Sequence, residues 1–269
     1  MSDTLQAKVE KSIREEFHAS LFAPFCKACK TYELISPGDR IAVCISGGKD
    51  SMLMGKLFQE ILKHNKVDFS LEFLVMDPGY ADENMSLLMS NAHSMGLPVS
   101  VFTSPIFSTI ASSKTPCYDC ARQRRGYLYS QASSLGCNKI ALGHHYDDVI
   151  ETTLMSMLYG GQVQTMMPKL RSRNYPGMEL IRPMYLIREA DIVGWASYCG
   201  LSFLDCACRV TDSPSKSSTR QEIKELIAYM KAKNPSVEAN IFSSVENVDL
   251  DSVIGYKSKG ERHLFLDDY

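Results

Sequence analysis

No stretch of about 18 consecutive apolar residues occurs in this 269-residue chain, so its sequence holds no candidate membrane-spanning helix. The opening MSDTLQAKVEKSIREEF is charged throughout and lacks the apolar segment of a secretory leader, so the expected compartment is the cytoplasm, with no membrane partner. Net charge is nearly absent as well. Its 29 Lys and Arg stand against 31 Asp and Glu, a formal charge of -2, so a polyanion can be met only by a local patch. Internal repeats and low-complexity tracts are also missing. What remains is an ordinary globular composition, 45% apolar and 22% charged, with enough material for a full core.

Cysteine, by contrast, is plentiful: nine residues, at 26, 29, 44, 117, 120, 137, 199, 206 and 208. An odd number in a long chain without a leader argues against a disulfide framework and leaves metal or redox chemistry open. Cys44, Cys137 and Cys199 lie in or beside apolar runs and read as buried structural residues.

Leu5, Val9, Ile13, Phe17 and Leu21 recur at four-residue steps among charges and predict one N-terminal amphipathic helix. Arg40–Ile45 is short, β-branched and bounded by turn signals, which predicts a strand. Strands follow at Ser70–Met76, Pro98–Thr103, Asn138–Leu142 and Met178–Ile181. They alternate with helices after Ser51, at Asn84–Met95, 119–135, Asp148–Leu158 and Glu189–Cys199. This alternation predicts an α/β fold, a Rossmann-like parallel sheet with helices on both faces and helical extensions at the two ends. The expected divisions are an N-terminal helical segment (1–35), the α/β domain (36–212), and a linker with a helical tail (213–269). The tail contains a helix at Gln221–Lys233.

The most informative hexapeptide is Ser46-Gly47-Gly48-Lys49-Asp50-Ser51. A strand running through glycines into a helix presents backbone N–H groups at a helix N-terminus, an anion site to which Lys49 adds charge and the two serines add hydroxyls. The spacing fits neither the Walker A loop nor the dinucleotide fingerprint. Cys117-x-x-Cys120 opens a predicted helix, where the dipole favours thiolates. Alone it reads as half a zinc site, a redox dithiol or part of an iron–sulfur cluster, with Cys206 or Cys208 available as a further ligand. Cys26-x-x-Cys29 reads as either structural or metal-binding. His144 and His145 are adjacent rather than one turn apart, which speaks against paired zinc ligation. Asp147 and Asp148 follow a strand end, where open α/β sheets bind ligands, and read from the residues alone as helix N-caps.

Ser46–Ser51 after the first strand resembles the PP-loop of the N-type ATP pyrophosphatases. Pro116–Gly126, Ala141–Asp148, Tyr159–Gly161, Met167–Leu170 and Ile181–Pro183, taken in order, resemble the TtcA-type tRNA 2-thiocytidine synthetases over roughly residues 36–210. The resemblance implies the PP-loop ATP pyrophosphatase fold and ATP-dependent tRNA thiolation. An anticodon-loop cytidine is adenylated at C2, releasing pyrophosphate, and its oxygen is replaced by sulfur. It implies ATP with Mg2+ and a 4Fe-4S cluster held by Cys117, Cys120 and Cys206, with Cys208 the alternative third ligand. It further implies a nucleotide site at Ser46, Gly47, Gly48, Lys49, Asp50 and Ser51 with Asp77 and His144. Mg2+ falls to Asp50 and Asp148, and the catalytic roles to Asp50, Arg124 and Asp147. The implied partners are tRNA and a sulfur donor, either sulfide or a cysteine desulfurase, and a homodimer is compatible.

Arg122, Arg124 and Arg125 read either as a solvated helix face or as phosphate ligands. Lys169, Arg171, Arg173, Lys216 and Arg220 are candidates for the local patch that tRNA needs, and Tyr159 and Tyr175 for stacking on an unpaired base. Two other functions stay open. One is adenylation of a different acceptor, a uridine or small molecule; the other is a nucleotide-binding metal or cluster sensor without turnover.

Overall fold

Asp39–Ile45 forms β1, and its side chains alternate between two cores: Ile41, Val43 and Ile45 enter one, Ala42 and Cys44 the other. That two-sided burial is why the run is apolar throughout, as expected of a parallel strand covered on both faces. The computed structural model describes residues 4–64, 66–106, 116–204, 219–267 and 269. After β1 come α3 (Lys49–Lys63), β2 (Phe69–Asp77), α4 (Asp82–Ser94), β3 (Val99–Thr103), α5 (Pro116–Ser134), β4 (Lys139–Ala141) and α6 (Tyr146–Leu158). β5 (Lys169–Arg171), β6 (Glu179–Ile181) and α7 (Glu189–Cys199) follow. The sheet order is β3-β2-β1-β4-β6-β5, parallel except for β5, which pairs antiparallel with β6. The order reverses between β1 and β4, so the crevice at their carboxyl ends is the expected ligand site. Cys44, Cys137 and Cys199 are buried, as expected.

The N-terminal stripe is not one helix. It runs through α1 (Leu5–Arg14), a π-helical turn (His18–Phe22) and α2 (Ala23–Thr31). Four-residue steps overshoot the 3.6-residue turn by about 40° each, so on a straight helix the stripe would drift off the buried face. The wider π turn takes up that drift, and Val9, Ile13 and Leu21 all reach the same core. α1 is fastened by Lys56 of α3, which is 1% exposed, with Nζ 3.0 Å from Glu10 and 2.8 Å from the Met95 carbonyl.

Two compact units make up the chain: Met1–Asp148 with Met167–Lys216, and Val149–Met166 with Ser217–Tyr269. In the second, the tail is more ordered than its sequence suggests. α8 (Thr219–Lys233) and α9 (Val237–Ser244) precede a hairpin of β7 (Gly255–Ser258) and β8 (Glu261–Leu264). Among the described residues no helix is long and apolar enough to cross a membrane.

Two expectations follow. Lys139 is buried, with Nζ 2.7 Å from Asp39 and 2.9 Å from the Leu34 carbonyl. Lys139→Met leaves the Asp39 carboxylate buried without its cation and should cost about 3–5 kcal/mol in urea unfolding. Burial alone would raise Glu10, but hydrogen bonds from Lys63, Gln6 and Lys56 outweigh it and hold its carboxyl down to about 2. The stability Glu10 contributes is thus complete above its unfolded value of about 4.3 and lost as pH falls toward 2. Glu10→Gln should flatten that part of the stability–pH curve, measured by urea midpoints between these limits.

Candidate active site

The expected crevice is present. A cavity of about 380 Å3 lies at the carboxyl ends of β1 and β4, with Ser46, Asp50 and Ser51 on one side and Gly143, His144 and Asp148 on another. Tyr80, from the loop after β2, and Arg124, Arg125 and Leu128 of α5 complete its walls.

The phosphate loop has the strand–loop–helix form. Gly47 has φ +87°, and a Cβ there would stand 2.7 Å from Leu204 and 2.9 Å from Leu88, so both conformation and space require glycine. Gly48 is the N-cap of α3, with no side-chain cap bond, so the first turn's N–H groups have no side-chain acceptor there. Ser51 Oγ accepts the Ser46 N–H at 3.0 Å and donates to the Gly48 carbonyl at 3.0 Å, which fixes the loop's curvature. Gly143 packs against the same turn: its Cβ would meet backbone atoms of Asp50 and Ser51 at 3.2 Å. Sequence reasoning quoted Gly143 only as part of a motif; this close approach is what the position requires.

Lys49 Nζ lies 3.3 Å from Asp50 and 3.1 Å from Glu189. Burial would lower the ammonium's pKa, but the two carboxylates outweigh it and raise it. Asp50 is raised above the ordinary carboxylate range by burial, with Asp148 adding and His145 and Lys49 opposing. Its Oδ1 is buried, faces Lys49 Nζ at 3.3 Å and accepts no hydrogen bond of good geometry among the described residues. His145, 4% exposed, lies 3.9 Å from Asp50, 3.8 Å from Asp147 and 3.6 Å from Asp148. His145, weighed with His144 as a contact to nucleotide or tRNA, belongs to this junction, and so does Glu189, which was not among the expected site residues.

The two aspartates separate. Neither is the N-cap, because α6 begins at Tyr146 and both stand in its first turn. Asp148 Oδ2 accepts the His145 N–H at 3.1 Å and the residue lines the cleft. Asp147 turns to α7, accepting the Glu189 N–H at 2.7 Å and a bond from Arg188 at 3.1 Å. Asp77 ends β2 as expected, but its Oδ1 accepts the N–H groups of Gly79 and Tyr80, both at 2.8 Å, and so shapes the loop that carries Tyr80.

α5 begins at Pro116, three residues earlier than expected, which puts Cys117 in its first turn and Cys120 at the start of the second. Cys120 is buried. Arg124, one turn on, reaches the cleft, where it opposes the burial that raises the Tyr80 hydroxyl. Cys206 and Cys208 lie outside the described residues, as does Lys216. Leu204, two positions before Cys206, donates its N–H to the Gly47 carbonyl at 3.2 Å. Among the described residues no three of His, Cys, Asp and Glu are poised together as metal ligands, at Cys26–Cys29 or elsewhere. The donor set nonetheless suits the expected groups. Cys117 and Cys120 stand three positions apart on one helix and Asp50 and Asp148 line the cleft, and thiolates and carboxylates are the donor types that an iron–sulfur cluster and Mg2+ take.

The basic patch is less free than expected. Lys169 and Arg171 face Glu179 at 3.4 and 3.8 Å, and Arg220 pairs with Glu151 at 2.8 Å, while Arg173 is exposed. Tyr175 is already stacked on Tyr129, 5.3 Å between centroids, whereas Tyr159 stays 58% exposed with its hydroxyl on Glu222.

Residues 15–226 match the PP-loop domain family. The "tRNA-cytidine(32) 2-sulfurtransferase" of Pelobacter propionicus is 34% identical over 226 residues, 82% of this chain and 83% of the relative. That of Coxiella burnetii is 36% identical over 248 residues, 90% and 94% of the two chains. Among solved structures, the U34-tRNA thiolase NcsA from Methanococcus maripaludis, with its 4Fe-4S cluster, superposes with a TM-score of 0.66 over 84% of this chain and 79% of its own, at 20% identity, a likeness of fold. With its phosphate loop, reversed sheet order and near full-length relatives, this chain belongs to the PP-loop domain family, in the branch of the tRNA-cytidine(32) 2-sulfurtransferases.

Proposed function

We propose that the chain is a cytoplasmic ATP-using tRNA sulfurtransferase that converts a cytidine at position 32 of tRNA to 2-thiocytidine. The observation that carries this reading is a shared wall. The helix opened by Cys117 and Cys120 also lines, through Arg124 and Arg125, the cleft that holds the phosphate loop. One helix carrying both the cysteine pair and two arginines of the cleft supports sulfur and ATP chemistry acting side by side.

In this reading the triphosphate lies on the N–H groups of the α3 first turn, with Lys49 and the Ser46 and Ser51 hydroxyls around it. The cytidine C2 oxygen attacks the α phosphate, the bond to the β phosphate breaks and pyrophosphate leaves. Arg124 faces the charge that develops there. Sulfide, supplied directly or released when thiols reduce a cysteine desulfurase's persulfide and are themselves oxidised to a disulfide, then forms the C2–S bond as the C2–O bond breaks and AMP departs. Mg2+ on Asp50 and Asp148 would neutralise phosphate charge, and a 4Fe-4S cluster on Cys117, Cys120 and Cys206 would supply iron that binds sulfur. Asp147 is assigned a positioning part, because its carboxylate holds the N-terminus of α7 and with it Glu189. His144 lines the cleft beside the nucleotide.

The deciding experiment deletes the gene, digests total tRNA and measures 2-thiocytidine by mass spectrometry against complemented strains. Wild type should restore the nucleoside; Cys117→Ala, Cys120→Ala and Cys206→Ala should each lower it at least 100-fold while leaving ATP binding within about twofold. Unchanged 2-thiocytidine on deletion would overturn the cytidine assignment. Glu189 gives a second expectation. It competes with phosphate for Lys49, so Glu189→Gln should tighten ATP binding about twofold to fivefold, read by equilibrium titration. Weaker binding would mean that Glu189 holds Lys49 toward the nucleotide instead.

A further inference from the structure

A larger cavity, of about 720 Å3, opens where β1 and β2 begin, at the opposite edge of the sheet from the phosphate loop. Its size lies within the roughly 300–1,000 Å3 of small-molecule sites. Its wall is apolar: Phe22, Ile35, Ile61 and Phe69 line it, and the Phe22 ring stands 5.6 Å from the His18 ring and 5.5 Å from that of His64. Two exposed lysines, Lys30 and Lys66, also line it, and neither has a carboxylate within 4.0 Å among the described residues. Glu33 is the one acid on its wall among them. The second cysteine pair faces the same space, Cys26 half-buried and Cys29 buried, and the adenylation chemistry uses neither. Burial pushes the Cys26 thiol up, with Lys66 opposing, so it stays protonated at neutral pH and serves as a quiet reporter of occupancy.

An apolar wall left wet forfeits the free energy of its burial, so an apolar ligand gains by entering. The excess of cations around it selects the sign of the ligand's polar end. We propose that this cavity is a second ligand site, taking a small amphipathic carboxylate whose hydrocarbon chain or ring packs on Phe22, Ile61 and Phe69 and whose carboxylate faces Lys30 and Lys66. The site is separate from the nucleotide cleft and does not rest on the thiolation reading.

Decanoate is a suitable probe, with decyltrimethylammonium as the length-matched cation. Calorimetric titration of the full chain should show one decanoate per chain, no competition from ATP, and at least fivefold weaker binding of the cation. Saturating decanoate should slow iodoacetamide labelling of Cys26, read by peptide mass mapping, at least fivefold. Lys30→Glu with Lys66→Glu changes only exposed side chains. It should weaken decanoate about tenfold with an unchanged circular dichroism spectrum. Equal affinity for the two probes, indifference to the charge reversal, or undiminished labelling of Cys26 would each overturn the proposal. So would a dimer by light scattering in which Cys26 is shielded without any ligand, since the face would then belong to a second copy.

Discussion

Positive helix ends crowded at one edge of the sheet are the constraint on which this structure turns. α3, α6 and α7 all start at the carboxyl side, each bringing a partial positive charge of about half a unit. Two of the three ends are answered from within the protein. Asp148 takes the His145 N–H at the start of α6, and Asp147, though it belongs to α6, reaches across to the start of α7. Of these three, α3, capped by a glycine, shows no side-chain cap on its N–H groups among the described residues. An incoming anion therefore meets one open helix end rather than three, and the acids that close the others also set the charge around Lys49.

That arrangement separates residues which the sequence alone treats as equivalent. Asp147 and Asp148 are neighbours in the chain, but about 100° apart on a helix. One faces the cavity and the other faces α7. Glu189 carries no local signal of function. It is an acid in the first turn of a helix, which capping statistics favour anyway, and its partner Lys49 is 140 positions away.

What could be read in advance was whatever is written locally. β1 is a β-branched run between turn signals, and its observed start differs from the expected one by a single residue. α7 spans the expected Glu189–Cys199 without change, and the phosphate loop was legible because glycine, lysine and serine sit between a strand and a helix. What escaped depended on distance or on small drifts. The four-residue stripe of the N-terminus looks helical throughout, and only the accumulated rotation forces the π turn. β5 is three residues long and carries two cations, too little pattern to announce a strand without its partner β6. Tyr175 could be a stacking ring on sequence grounds because nothing nearby foretells Tyr129 beneath it.

The short antiparallel β5 also decides how this sheet ends. A parallel sheet that stopped at β6 would present a bare row of backbone donors and acceptors to any passing extended chain. β5 covers that row with a three-residue strand bearing Lys169 and Arg171. Its own outer edge is too brief and too charged to template another strand. The same two cations that made the segment look like a nucleic-acid contact thus sit on an edge strand, where charge disfavours pairing with another extended chain.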